Sequence, residues 1–199
     1  MKRISNMFRL MVMLAVALVV CSCEKSANEE EWGNSYVYMP QASLLSDGLN
    51  NCYTVPSQIN GVKNYRVENG RIKVFLGVYR SGLEELESYT VQIVADADTC
   101  RQCINAASVG DHDEKYDVYE NAVVLPDDCY ELPSQVVVSR GERSNTFYLE
   151  VLTDRLKQNQ LLSGKTLVMA VRLGHVTRYE LNAKQAVTMV VINDWESLN

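Results

Sequence analysis

The chain has 199 residues, with 25 acidic side chains against 19 basic ones and a formal net charge of −6. An acidic surface excludes nucleic acid and weakens any attraction to anionic lipid. The length suffices for one ordinary domain with a real hydrophobic core.

Lys2, Arg3 and Arg9 precede an unbroken apolar run from Leu10 to Val20. Its 11 residues are too few to span a membrane, which takes about 20. A basic start before such a run is the pattern of a secretory signal. The next residues are Val20-Cys21-Ser22-Cys23. Bacterial lipoprotein signals place a small residue just before the modified cysteine and a branched apolar residue three positions before it. Cys23, with Ser22 and Val20, meets both conditions; Cys21 has bulky Val20 at the near position. Residues 1–22 are therefore expected to be a lipoprotein signal peptide and Cys23 the lipidated residue, with Cys21 the weaker choice. Two acyl chains would make the anchor stable. Removing residues 1–22 takes away three basic residues and no acid, so the charge moves from −6 to −9 over the remaining 177 residues. Residues 23–33 are polar and acidic and read as a flexible tether. Residues 34–199 read as one domain.

From Tyr36 onward, apolar residues alternate with period two, the mark of strands with one face in a core. After a short strand at Tyr36–Met39, Tyr65–Glu68 and Arg71–Tyr79 flank Asn69-Gly70, the preferred pair for a type I′ hairpin. In the second of these, Ile72, Val74, Leu76 and Val78 share a face. Tyr89, Val91 and Ile93 form the next alternating set. Asp98–Ala107 is ambiguous between helix and loop. Val136–Ser139 and Thr146–Leu152 are separated by Arg140-Gly141-Glu142, and Phe147, Leu149 and Val151 share a face. Asp154–Leu162 reads as a short helix capped by Thr153 or Asp154. Leu167, Met169, Val171 and Leu173, then Val187, Met189 and Val191, complete the pattern. These seven or eight strands point to an all-β, antiparallel, immunoglobulin-like β-sandwich with one short helix and a single core.

The segment Tyr36-Val37-Tyr38-Met39-Pro40-Gln41-Ala42, following a lipoprotein tether, resembles the opening of domain-of-unknown-function family 1735. Tyr130-Glu131-Leu132-Pro133, the Arg140-Gly141 turn, Phe147–Leu152, Leu161–Leu173 and Val190-Val191-Ile192-Asn193 follow in the family's order. The resemblance covers residues 36–193. It implies a β-sandwich on a lipid-anchored outer-membrane protein of Bacteroides type, linked to polysaccharide use. Relatives often carry a glycan-binding or glycosidase domain after this one. The chain ends at Asn199, so glycosidase activity is not expected of it. The resemblance also implies that an acidic stretch such as Glu29–Glu31 sorts the protein to the cell surface; the periplasmic face is the alternative.

Four cysteines remain beyond the signal: Cys52, Cys100, Cys103 and Cys129. An even number in an exported chain points to disulfides with three possible pairings. The preferred pairing is Cys100 with Cys103, leaving Cys52 for Cys129. A redox role for Cys100-Arg101-Gln102-Cys103 would need a helix start in an α/β fold, which the strand pattern does not supply. Four-cysteine zinc binding would need two paired motifs. The acidic cluster Asp111-His112-Asp113-Glu114, with Asp117, lacks the glycine and glutamate of an EF-hand loop and reads as a solvated loop. Neither His112 nor His175 lies in a nucleophile context, and no Gly-x-Ser-x-Gly elbow or phosphate loop is present. No catalytic residue, metal or cofactor is expected, and the protein is not expected to be an enzyme.

Eleven tyrosines against three phenylalanines favour rings that combine a flat apolar face with a hydrogen-bonding tip, suited to sugars. Tyr116, Tyr119 and Tyr130, in or beside the long region 98–130, are the expected ligand contacts. The leading expectation is a non-catalytic binding module for glycans. The alternative is a structural or adhesive module for an outer-membrane protein partner, met through an open sheet edge.

Overall fold

The computed structural model describes residues 34–43, 52–110 and 112–198. The signal peptide, Cys21, Cys23, the tether with Glu29–Glu31, and Asp111 lie outside the described residues. No helix among the described residues is long and apolar enough to cross a membrane. Asn34–Asn199 form one compact unit.

Two six-stranded sheets face each other. The first runs β13 (Glu180–Leu181), β1 (Tyr36–Tyr38), β6 (Arg71–Arg80), β11 (Ser144–Leu152) and β9 (Tyr130–Glu131), with β5 (Tyr65–Glu68) also on β6. The second runs β10 (Gln135–Val138), β7 (Tyr89–Ala95), β12 (Thr166–Val176), β14 (Val187–Ile192) and β2 (Cys52–Val55), with β8 (Ala122–Val124) also on β12. A small hairpin joins β3 (Gln58–Ile59) to β4 (Val62–Lys63). The β-sandwich expected from the alternation is present, built from more and shorter strands. It is not wholly antiparallel: β1–β13, β8–β12 and β2–β14 are parallel pairs.

The pleat sorts β6 cleanly. Ile72, Val74, Leu76 and Val78 are buried, while Arg71, Lys73, Phe75, Gly77 and Tyr79 line the opposite face. Its partner β11 buries Phe147, Leu149 and Val151. At the tip of the β5–β6 hairpin, Asn69 and Gly70 have φ of 52° and 70°, the two positive values a type I′ turn demands. Arg140-Gly141-Glu142 plays another part, leading the chain from β10 in one sheet to β11 in the other.

The central strand β12 corrects the expectation of one core. Leu167, Met169, Val171 and Leu173 face the sandwich interior. Val168 and Ala170, on the opposite face, are also fully buried. They pack with Met189 and Val191 of β14 beneath Cys100, Cys103 and Tyr119, forming a second apolar cluster. The cover is α1 (Ala97–Ala107) and the 3-10 turn Glu114–Tyr119. The ambiguous stretch is therefore a helix. Asp96 caps it by accepting from the Thr99 amide at 3.0 Å, and it also accepts from Arg172 Nε at 2.9 Å, tying helix to sheet.

The second helix, α2 (Thr153–Gln158), is shorter than the expected span; Asn159 breaks off a separate 3-10 turn, Gln160–Leu162. Thr153 is its first residue and not its cap. The Thr153 hydroxyl donates to the Gly70 carbonyl at 2.7 Å instead, fixing α2 to the β5–β6 turn.

Candidate functional site

The outward face of the first sheet carries a row of aromatic rings. The β6–β11 register sets Phe75 directly opposite Tyr148, and their centroids lie 5.5 Å apart at 67°. The β1–β6 register sets Tyr38 opposite Tyr79, with centroids 5.4 Å apart at 53°. The first of these pairs is close to edge-to-face and the second is tilted, arrangements that aromatic rings favour over a face-to-face sandwich. Between the two pairs β6 has Gly77, opposite Thr146. The Gln41 side-chain oxygen accepts from the Gly77 amide at 3.2 Å, satisfying that stretch of strand edge.

Beside Tyr148 the sheet opens into a groove of about 410 Å³, lined by Glu131, Leu132, Pro133, Phe147, Tyr148 and Glu150. It exists because β9 pairs with β11 only at Glu131↔Glu150 and Tyr130↔Val151 before the chain leaves for β10 in the other sheet. Pro133 sits where the strand ends, and a proline has no amide to continue the ladder.

An ion network borders the rings. Arg71 pairs with Glu131 and, at 3.0 Å, with Glu150. Lys73 reaches Glu150 at 3.2 Å and Glu68 at 3.5 Å, and Arg66 reaches Glu68 at 3.4 Å. Three cations thus meet three carboxylates, leaving the border neutral. The Arg71 guanidinium holds the Glu131 carboxyl below the usual carboxylate range. Burial, helped by Tyr79, raises the Tyr38 phenol above its ordinary value. At neutral pH its hydroxyl is therefore protonated and both donates and accepts. The Arg66 guanidinium lies 5.2 Å from the Tyr148 ring centre, within cation–π range. The face thus combines flat apolar surface, neutral hydroxyls and paired charges whose oxygens and N–H groups remain half exposed.

The expected ligand tyrosines are not gathered here. Tyr119 is fully buried, its hydroxyl 3.1 Å from Cys52 Sγ. No ligand reaches it from solvent, and burial drives its phenol far above the ordinary value. Tyr116 packs against the same second cluster, its ring centre 6.4 Å from that of Tyr119. Both belong to the layer over the second sheet, behind the sandwich from the aromatic row. Tyr130 is half-buried against the main core, and its hydroxyl donates to Asp127 at 3.3 Å; only its neighbour Glu131 lines the groove. Phe75 and Tyr79, which the sequence did not single out, occupy the same outward register positions as Lys73.

The expected disulfides are also corrected, since Cys52, Cys100, Cys103 and Cys129 are all free thiols. Cys100 and Cys103 both lie within α1, where residues three apart hold their Cβ atoms about 5–6 Å from each other, beyond the ~4 Å a disulfide needs. Cys52 packs against the second cluster while Cys129 belongs to the main core. Cys100 accepts from the Ala170 amide at 3.0 Å, and burial pushes its thiol up to about 11. A redox-active cysteine is shifted the opposite way.

In the acidic loop, His112 Nδ1 meets the Val109 carbonyl at 2.9 Å. Its Nε2 meets Asp117 at 3.1 Å and Glu120 at 3.7 Å. These three ligating atoms lie within 4.8 Å of one another, the one such convergence among the described residues. The Val109 carbonyl, then Asp117 and Glu120, raise the imidazole above its ordinary value.

A family model described as a "-like, N-terminal domain" matches residues 33–180, more than half of the chain. A search of curated proteins gives no match. Among solved structures, one protein of unknown function from Bacteroides ovatus superposes with a TM-score of 0.50 at 15% identity, over 79% of this chain and 45% of that one. A second from the same organism gives 0.50 at 12% identity, over 80% and 52%. A multidomain protein including DUF1735, also from Bacteroides ovatus, gives 0.46 at 15% identity, over 79% and 43%. The chain spans about half the length of these structures. The family model covers more than half of the chain, so the chain belongs to that family of N-terminal domains, and its sandwich is the fold of the two Bacteroides ovatus structures with TM-scores of 0.50.

Proposed function

We propose that this protein is a non-catalytic glycan-binding module, carried to the outer membrane by a lipid on Cys23. The observation that supports the reading is the outward row Tyr38–Tyr79 and Phe75–Tyr148 beside the groove at Glu131–Pro133. Aromatic faces stack on the C–H faces of pyranose rings, while the bordering Glu131, Glu150, Arg71 and Lys73 exchange hydrogen bonds with hydroxyls. The signal pattern of residues 1–23 supports the anchor, and the acidic stretch Glu29–Glu31 supports the cell surface as its destination.

The test is calorimetric titration of the protein with neutral plant and yeast polysaccharides, repeated with Tyr148→Ala. Binding that weakens about tenfold in the variant, the loss of roughly 1.4 kcal/mol, supports the reading. Absence of heat with every polysaccharide, from protein shown to be folded, sinks it and shifts attention to a protein partner.

A further inference from the structure

We infer that the outward face of the first sheet reads the length of its ligand: it takes an extended, uncharged oligosaccharide that bridges two aromatic subsites across Gly77. This rests on the glycan-binding reading and adds the class of sugar and its way of lying on the sheet.

Phe75 and Tyr79 are four residues apart on one regular strand, so their side chains emerge about 13 Å from each other. One sugar ring covers one aromatic pair and does not reach the other. The Phe75–Tyr148 pair adjoins the groove, and the Tyr38–Tyr79 pair stands at the opposite end of the row. Full use of the surface therefore takes several linked sugars.

Gly77 is the second observation. Glycine inside a strand is destabilising relative to alanine, and here neither its conformation nor crowding requires it. The pairing Gly77↔Thr146 continues the register on both sides without a bulge. A Cβ at position 77 would meet only ordinary contacts, the Asn145 carbonyl at 3.6 Å and the Pro40 ring at 3.9 Å. A strand glycine of this kind often marks a place where a ligand or another stretch of backbone comes close, and beside the turn at Pro40 and Gln41 it leaves room for both. Between the two ring pairs Gly77 places no side chain of its own on the face, and the Pro40 ring lies 3.9 Å from where a Cβ would stand.

The electrostatics select among glycans. Arg66, Arg71 and Lys73 are each paired with Glu68, Glu131 or Glu150, so none of these three is free for a sulfate or uronate. The net charge of −6 also repels polyanions.

The test uses calorimetry on the full protein with cello-, manno- and xylo-oligosaccharides graded from monosaccharide to hexasaccharide, and with heparin fragments as the charged control. The expected result is that one neutral series binds, the tetrasaccharide at least tenfold more tightly than the disaccharide. Tyr79→Ala should bring the longer members down to the disaccharide level. Gly77→Val should do the same while leaving thermal unfolding unchanged or raised, because valine suits a strand. Three outcomes overturn the inference alone: affinity independent of chain length, indifference to Tyr79→Ala, or preference for heparin; in each the protein still binds glycans. Silence across all series and all polysaccharides overturns the glycan reading itself, and the inference with it.

Discussion

Asp96 and Arg172 hold α1 on the second sheet. Asp96 Oδ1 caps the helix by accepting from the Thr99 amide at 3.0 Å, while Oδ2 accepts from the Thr99 hydroxyl at 2.8 Å and from Arg172 Nε at 2.9 Å. Loss of a cap of this kind costs about 1 kcal/mol, and a stranded arginine adds to that. Asp96→Ala should therefore lower unfolding stability by about 2 kcal/mol in urea titration. A change within error would show that α1 is held by its apolar face alone.

The same carboxylate carries a pH signature. Burial works against its charge, yet the Arg172 guanidinium and the Thr99 donors prevail and keep it below its ordinary 3.8. A carboxyl depressed in the folded state gives stability that is full above the unfolded value and lost as pH falls through the folded one. Stability of the parent protein should fall on acidification below 3.8 more steeply than that of Asp96→Asn. Parallel curves for the two proteins would contradict this.

His112 works in the opposite sense. Its imidazole is raised above 6.5 by the Val109 carbonyl and by Asp117 and Glu120. The attraction is complete below 6.5 and disappears as pH rises through the folded value. NMR titration of the ring should give a midpoint above 6.5 that drops in Asp117→Asn. A midpoint at or below 6.5 in the parent protein would show that the ion pairs are absent in solution.

Tyr119 and Tyr148 should separate stability from binding. Tyr119 is buried and holds Cys52, so Tyr119→Phe should cost about 1 kcal/mol in unfolding and nothing in glycan affinity. Tyr148, half exposed, should show the reverse under the proposed function. Equal effects on both readouts in either variant would break the assignment of the two sheet faces.

Anchoring is tested separately. Cys23→Ala should release the protein from the membrane fraction or trap its precursor, and abolish labelling by a fatty-acid analogue. Unchanged labelling would move the lipid to Cys21.

Much of the sandwich was legible in the chain because period-two alternation reports directly which side chains face a core. The strand cores at Ile72–Val78, Phe147–Val151 and Leu167–Leu173, and the Asn69-Gly70 turn, are local properties. The same alternation also put Phe75 and Tyr79 on the outward side of β6. What it lacked was any sign that Tyr148 and Tyr38 would come to lie beside them, since register between distant strands is set by tertiary packing. The disulfide expectation failed for a related reason. Counting cysteines says nothing of the distance between them, and helix geometry holds Cys100 apart from Cys103.

The sequence by itself determined the acidic charge, the signal-like start, the alternating strands and the family resemblance, because composition and nearest-neighbour spacing suffice for these. Only the tertiary structure decided that β12 is buried on both faces, that Tyr119 is core, and that two aromatic pairs share one exposed sheet. Burial of a second strand face depends on α1 folding back over it, and a pair across a sheet depends on which strands become neighbours. Both are contacts between residues far apart in the chain, and no local pattern encodes them.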